Sequence, residues 1–246
     1  GMGVPGPVKD DGTVLKCVNL GWGVFNVEKA LSVICGGVKV KAGNDANVAA
    51  LGEMWQGGGK GYEDVVMITL GTGVGGGIIR GGKIVAGTNG AAGEIGHMPM
   101  IDDESECCGC GKKGCLEQYA SANGLVNVAE KYIAAHRTVE TELDLNAGFT
   151  AKDVCDAAKA GDKAGLAAVE ESMRLLGKAM ASVSCVIDPQ VFVVGGGLSK
   201  AGNIIIDTAS KYYKEYAFHA SRETEIKLAT LGNAAGMYGG VKMVIG

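Results

Sequence analysis

No apolar run in this 246-residue chain approaches the roughly 18 residues that would cross a bilayer. The opening "GMGVPGPVKDDG" has no apolar signal core either, so the sequence reads as a cytoplasmic protein with no membrane partner. Basic charge is not in excess. Lysine and arginine number 23 against 27 aspartates and glutamates, and a balance of −4 offers no footprint for nucleic acid in this segment. There is no G-X-Y period, no serine-rich linker and no obvious internal repeat, which sets fibrous and disordered classes aside.

What the chain does have is apolar content enough for a sizeable core, 47% of its residues, and a surplus of glycine. Its 42 glycines are more than double the usual ~7% share. They gather at the ends of apolar runs, where a backbone without side chains can come close to a ligand. That distribution predicts an α/β protein handling a phosphorylated ligand.

The stretch "GVKVKA" (37–42) alternates as a strand does. Asn44-Asp45 then introduce a helix, "ANVAALGEMW", with Val48, Leu51 and Trp55 on one face. "QGGGKG" (56–61) reads as a loop and a domain boundary. "DVVMITL" (64–70) and "VFVV" (191–194) are buried strands that run into the glycines of "GTGVGGG" and "GGGL". Gly81-Gly82 centres a β-hairpin, and "HRTVETELDLNAG" (136–148) is a polar surface loop. Thr150 and Asp153 form a capping box for a helix ended by Gly161. Asp162 opens a longer helix, whose stripe Val169, Met173, Leu176, Met180, Val183 and Ile187 is core packing. The tail "NAAGMYGGVKMVIG" is a small-residue helix whose glycines weaken its propensity.

"GTGVGG" matches G-x-G-x-x-G through Gly71, Gly73 and Gly76, but it runs into a hairpin rather than opening a helix. A Rossmann fingerprint needs that helix, and no G-K-[ST] follows to make a Walker A loop. Two readings remain: a structural turn, or backbone N–H groups that nest phosphate oxygens beside the Thr72 hydroxyl. Gly195 to Gly197 also follow a buried strand, which suggests one nucleotide held by backbone on both sides.

Asp45 stands at a strand-to-helix junction, where it serves equally as a helix cap or as a base taking the proton of an acceptor hydroxyl. "AGEIGH" supplies Glu94 and His97, three apart, and Glu117 closes a cysteine stretch. Such groups read as solvated charges or as partners for sugar hydroxyls. The cysteines of "CCGCGKKGCLE" are not a secreted disulfide framework in so long a chain without a signal, and C-x-C is too cramped for an ordinary disulfide. His97, Cys108, Cys110 and Cys115 supply an imidazole and three thiolates for zinc, with Cys107 as an alternative to Cys108. Four free small thiols are the competing reading. Cys17, Cys35, Cys155 and Cys185 are scattered and expected to be buried.

In this order, "GNDANVAALGE", "TLGTGVGGGII", "GEIGH" and "CGCGKKGCLEQYAS" resemble the ROK family of sugar kinases, and within it the bacterial glucokinases. The opening "GVPGPV" and "VLKCVNLGWG" fit the same family, so the resemblance covers essentially the whole chain. It implies an actin-like, ribonuclease H-like two-lobed α/β ATPase fold with Mg-ATP and a hexose between the lobes. It makes Asp45 the base that helps convert glucose to glucose 6-phosphate. Asn44, Asp45, Glu94, His97 and Glu117 become sugar contacts, and His97, Cys108, Cys110 and Cys115 hold a structural zinc. Gly71, Thr72, Gly73, Gly75 and Gly76 become a phosphate loop, and Gly195, Gly196 and Gly197 an adenosine contact. A homodimer is expected. Fructose or N-acetylmannosamine are alternative substrates, and a sugar-responsive ROK repressor, with its DNA-binding domain upstream, is the alternative class.

One family feature is missing: ROK kinases open with a strand-loop-strand bearing D-x-G-G-T, and this sequence has none. The expectation is therefore an incomplete N-terminal lobe over residues 1–61, to which 233–246 returns, beside a complete large lobe over 62–232. An open sheet edge that invites pairing, and poor kinase activity of this chain by itself, would follow.

Overall fold

The computed structural model describes every residue except 16, 18 and 19. Its centre is a five-stranded sheet in which β5 (Val65–Leu70) and β8 (Val191–Gly195) lie side by side and parallel. β6 (Val74–Arg80) pairs antiparallel with β5 and turns through Gly81-Gly82 into β7 (Lys83–Ile84), while β9 (Glu225–Leu228) closes the other edge beside β8. Being covered on both faces, the central strands are continuous apolar runs rather than alternating ones. Val66, Ile68, Leu70, Phe192 and Val194 point to one face. Val65, Met67, Val191 and Val193 point to the other.

The first face is covered by α6 (Lys163–Ile187), flanked by α4 (Ala122–Ala135), α5 (Ala151–Lys159) and α7 (Asn203–Tyr216). Asp162 caps α6 by accepting from the Gly165 N–H at 2.9 Å, and the expected stripe is buried apart from partly exposed Ile187. The Thr150–Asp153 capping box forms as read from the sequence. Truncating the fully buried Met173 or Met180 to alanine should cost about 2–5 kcal/mol.

The second face is covered by α2 (Asp45–Gln56) and α8 (Ala235–Ile245). These helices touch through glycine. A Cβ on Gly239 would fall 1.7 Å from the Val48 carbonyl oxygen, and one on Gly52 would fall 2.1 Å from that of Ala235. The tail's glycines thus weaken its propensity and permit its packing. Nor do the hydrophobic clusters separate at residue 61, since Ala50, Leu51 and Met54 share one with Val65, Met67, Ile79, Val191 and Val193.

A smaller cluster of Val4, Val8, Val14, Cys17 and Val27 organises the N-terminal part. There β1 (Met2–Val4) pairs in parallel with β4 (Ala42–Asn44), and β2 (Thr13–Val14) pairs antiparallel with β3 (Phe25–Asn26) ahead of α1 (Val27–Ile34). The strand expected over 37–42 is displaced to Ala42–Asn44, because α1 ends in a turn through Cys35–Gly37 and Val38 points to solvent. Cys17 and Cys155 are buried as expected, but Cys35 and Cys185 are exposed, one closing α1 and the other on the solvent side of α6.

Candidate active site

A cleft of about 880 Å³ opens at the carboxyl ends of β5 and β8, where the loops of parallel strands leave room for a ligand. Its walls are Pro5–Pro7 after β1, the first turn of α2, the β5–β6 turn, Gly196, and the three side chains Glu94, His97 and Glu117.

Asn44, and not Asp45, caps α2. Its Oδ1 accepts from the N–H groups of Ala46 at 3.0 Å and Asn47 at 3.2 Å, and its Nδ2 donates to the Gly6 carbonyl at 3.3 Å. Asn44 lines a neighbouring cavity of about 390 Å³, while its Oδ1 is engaged by the cap. Asp45 becomes the first helical residue, exposed and lining the cleft, with Oδ1 accepting from the Ala46 N–H at 2.8 Å. The helix dipole favours a carboxylate there.

The glycine loop is shorter than its motif. Gly71–Gly73 form the turn, and from Val74 the chain is already β6. Gly71, Thr72, Gly73, Gly75 and Gly196 line the cleft. Gly76 and Gly195, both expected at the nucleotide, do not. Gly76 pairs with Ile68 and packs under Gly93, whose carbonyl would be 2.3 Å from an added Cβ; Gly195 packs between Ala229 and Met67. Gly73 has a different reason. The Glu117 carboxylate presses on it, with Oε2 accepting from the Val74 N–H at 2.9 Å and lying 2.2 Å from where a Gly73 Cβ would stand.

Glu117 opens α3 (Glu117–Ala120), and its Oε1 lies 3.6 Å from the Cys108 Sγ. His97 ends a short 3₁₀ turn and stands between cleft and cysteines, with Nε2 4.0 Å from Glu94 Oε2 and Nδ1 3.8 Å from the Cys108 Sγ. The ligand atoms of His97, Cys108, Cys110 and Cys115 all lie within 4.8 Å of one another. Tetrahedral zinc with Zn–S near 2.3 Å sets its ligands about 3.5–3.8 Å apart. The Cys108–His97 and Cys110–Cys115 separations of 3.8 and 3.6 Å match that, so the donor set fits zinc. Cys107 is exposed and outside the group. Burial pushes the Cys115 thiol up to about 12 and raises Cys108, whereas the Lys112 backbone N–H lowers Cys110. A bound dication reverses such raised values outright.

Glu104 anchors this loop. Its carboxylate accepts from the Tyr119 hydroxyl, from Lys131 Nζ at 3.1 Å and from the Glu106 N–H at 3.1 Å, and its pKa falls to about 2, chiefly through Tyr119.

A second cavity of about 1040 Å³ shares Gly71 and Thr72 with the cleft and includes Gly197. Asn123 and Asn127 of α4, Lys152, Cys155, Asp156 and Lys159 of α5, and Lys200 supply its other functional side chains. Sequence reasoning missed them; the Asn123/Asn127 pair, four apart just after the cysteine motif, was the one local signal. Pro5, Gly6 and Pro7 were also missed, although "GVPGPV" itself stood out.

The ROK family pattern matches residues 1–246, and the chain belongs to that family. The actin-like α/β fold of ROK kinases is the one found. The chain is 42% identical over 244 residues to a glucokinase of Halalkalibacterium halodurans, covering 98% of this chain and 74% of that protein. A ROK family glucokinase of Streptomyces griseus in complex with glucose and AMPPNP superposes with a TM-score of 0.81 at 34% identity, over 99% of this chain and 80% of that one. A ROK family transcriptional regulator, a homologue of the E. coli MLC protein, superposes with a TM-score of 0.84 at 26% identity, over 97% and 60%. Among the described residues, no helix is long and apolar enough to cross a membrane.

Proposed function

We propose that the protein is a hexose kinase that transfers the γ-phosphoryl group of Mg-ATP to the 6-hydroxyl of glucose. The observation that carries this is the meeting of two cavities at Gly71-Thr72, with exposed Asp45 on the wall of one of them. The sugar occupies the cleft among Asp45, Glu94, His97 and Glu117. The nucleoside occupies the second cavity, so that the phosphates cross the glycine turn. Asp45 accepts the proton of the hydroxyl as its oxygen bonds to the γ-phosphorus, and the bond from that phosphorus to the ADP oxygen breaks. Mg²⁺ bound with the nucleotide would neutralise charge developing on the phosphates, and positioning supplies most of the rate.

Zinc held by His97, Cys108, Cys110 and Cys115 would be structural. Bound there, it would fix the imidazole that faces the sugar and, through the loop, the approach of Glu117. The halodurans and griseus relatives support glucose as the hexose. Expected assembly is a homodimer, checked by light scattering.

Asp45→Asn tests the reading cleanly, since the cap belongs to Asn44 and survives. In a coupled assay with glucose and Mg-ATP on protein that also carries the family's D-x-G-G-T segment, kcat should fall by roughly 10²-fold or more while thermal unfolding is unchanged. Near-normal turnover would reduce Asp45 to an ordinary helix-start residue. Similarity to the ROK regulator favours a second reading, a sugar sensor, and glucose binding without phosphoryl transfer by a protein that also carries the family's D-x-G-G-T segment would select it.

A further inference from the structure

"QGGGKG" (56–61), read as a loop and a domain boundary, follows directly on α2. The last turns of α2 hold Glu53, whose side chain is fully buried. Its Oε2 accepts from the N–H groups of Gly58 at 2.8 Å and Thr230 at 3.1 Å, and its Oε1 from that of Leu231 at 2.8 Å. Among the described residues no lysine or arginine pairs with it. Backbone N–H groups alone meet the charge, and a buried carboxylate without them would be strongly disfavoured.

The glycines exist for this arrangement. A Cβ on Gly57 would lie 1.9 Å from the Glu53 Oε2, and one on Gly58 would lie 2.3 Å from the Leu228 carbonyl oxygen. Only a chain stripped of side chains can wrap the carboxylate this closely while touching the end of β9. The two segments so joined are the connection from α2 to β5 and the connection from β9 to α8. Glu53 therefore pins both ends of the path by which α2 and α8 reach the sheet.

Resting on the reading of Asp45 as base, we infer that Glu53 is a positioning residue for Asp45. The two residues lie toward opposite ends of one helix, a rise of about 12 Å along its axis at 1.5 Å per residue. Glu53 ties the far end of α2 to the connections that enter β5 and leave β9, and near its start the Asn47 Oδ1 accepts from the Ile78 N–H of β6 at 3.4 Å. A helix moves as a rod, so releasing the pin lets α2 tilt about the Asn47 contact and re-aims Asp45, and catalysis is sensitive to displacements of an ångström.

The experiment is a double-mutant cycle in protein that carries the family's D-x-G-G-T segment together with this whole chain. Glu53→Gln keeps the shape but replaces one acceptor oxygen with an amide NH2 group, which can only donate. It should lower kcat about tenfold, leave KM for ATP within about twofold, and add nothing further when combined with Asp45→Asn. Losses that multiply in the double variant, or a lowered Tm with wild-type kcat, would overturn the inference and leave Glu53 a stability residue. Near-normal turnover in Asp45→Asn alone would instead remove the base reading, and this inference with it. Should Glu53→Gln fail to fold, Gly58→Ala perturbs the same contact with the carboxylate intact and should show the same kcat loss and the same lack of additivity. In the wild-type protein the Gly58, Thr230 and Leu231 amides should be strongly protected from hydrogen exchange, and fast exchange there would refute the pin itself.

Discussion

The two cavities that meet at Gly71-Thr72 are built by different means. The cleft is made of chain ends: the tip of β1, the start of α2, the β5–β6 turn and the start of α3. Its chemistry is carboxylate and imidazole, each brought in by a short motif. The second cavity is made of helix flanks, with α4 and α5 offering amides, lysines and an aspartate at helical spacing. Chain ends hold groups rigidly against backbone, as Glu117 is held against the Val74 N–H. Helix flanks hold them through packing, and neighbouring residues can substitute for one another. The side proposed for the sugar should therefore be intolerant of change and the side proposed for the nucleotide forgiving.

The largest effect should come from Asp45→Asn, already expected to lower kcat by roughly 10²-fold. A loss there no greater than on the nucleotide side would erase the contrast. Next is Cys115→Ser. Elemental analysis should find about one zinc per wild-type chain and much less in the variant, and the glucose KM should rise at least tenfold as His97 loses its support. Absence of zinc from the wild-type protein would leave four free thiols.

A smaller effect is expected from Asn127→Ala on the helix flank. KM for ATP should rise a few-fold, by about 1 kcal/mol for one hydrogen bond, with the glucose KM unmoved. A change in the glucose KM instead would mean the two cavities are not divided between the two substrates as proposed.

The smallest effect tests the anchor of the cysteine loop. The folded pKa of Glu104 is depressed to about 2, so its stabilisation is present above the unfolded value near 4.5 and is lost as pH falls from there toward 2. Tyr119→Phe removes the main cause of that depression and should cost about 1–2 kcal/mol at neutral pH. In thermal melts the gap between variant and wild type should narrow below about pH 4. A gap independent of pH would assign the loss to packing of the ring.

Much of this was legible because it is local. The buried strands 64–70 and 191–194, the capping box at Thr150 and the hairpin at Gly81-Gly82 each depend on a few consecutive residues. The same holds for the spacing of Cys108, Cys110 and Cys115. The misreadings were local rules overridden by neighbours. Val38 alternates with its neighbours as a strand residue does, yet the strand goes to Ala42–Asn44, because that is where Met2–Val4 offers partners. Gly76 fits a phosphate pattern, yet what stands against it is the Gly93 carbonyl.

The sequence by itself determined the apolar runs that become the sheet, the thiols and imidazole that suit zinc, and a carboxylate at a helix start. Tertiary structure decided which residue caps that helix, which glycines reach the cleft, and that Asn123, Asn127 and Lys152 face the same space as Gly71. It also decided that Glu53 is buried rather than solvated, by bringing to it a backbone N–H from 178 residues away. Hydrogen bonds and cavities of that kind depend on where the sheet places distant segments, and no spacing along the chain encodes the distance between them.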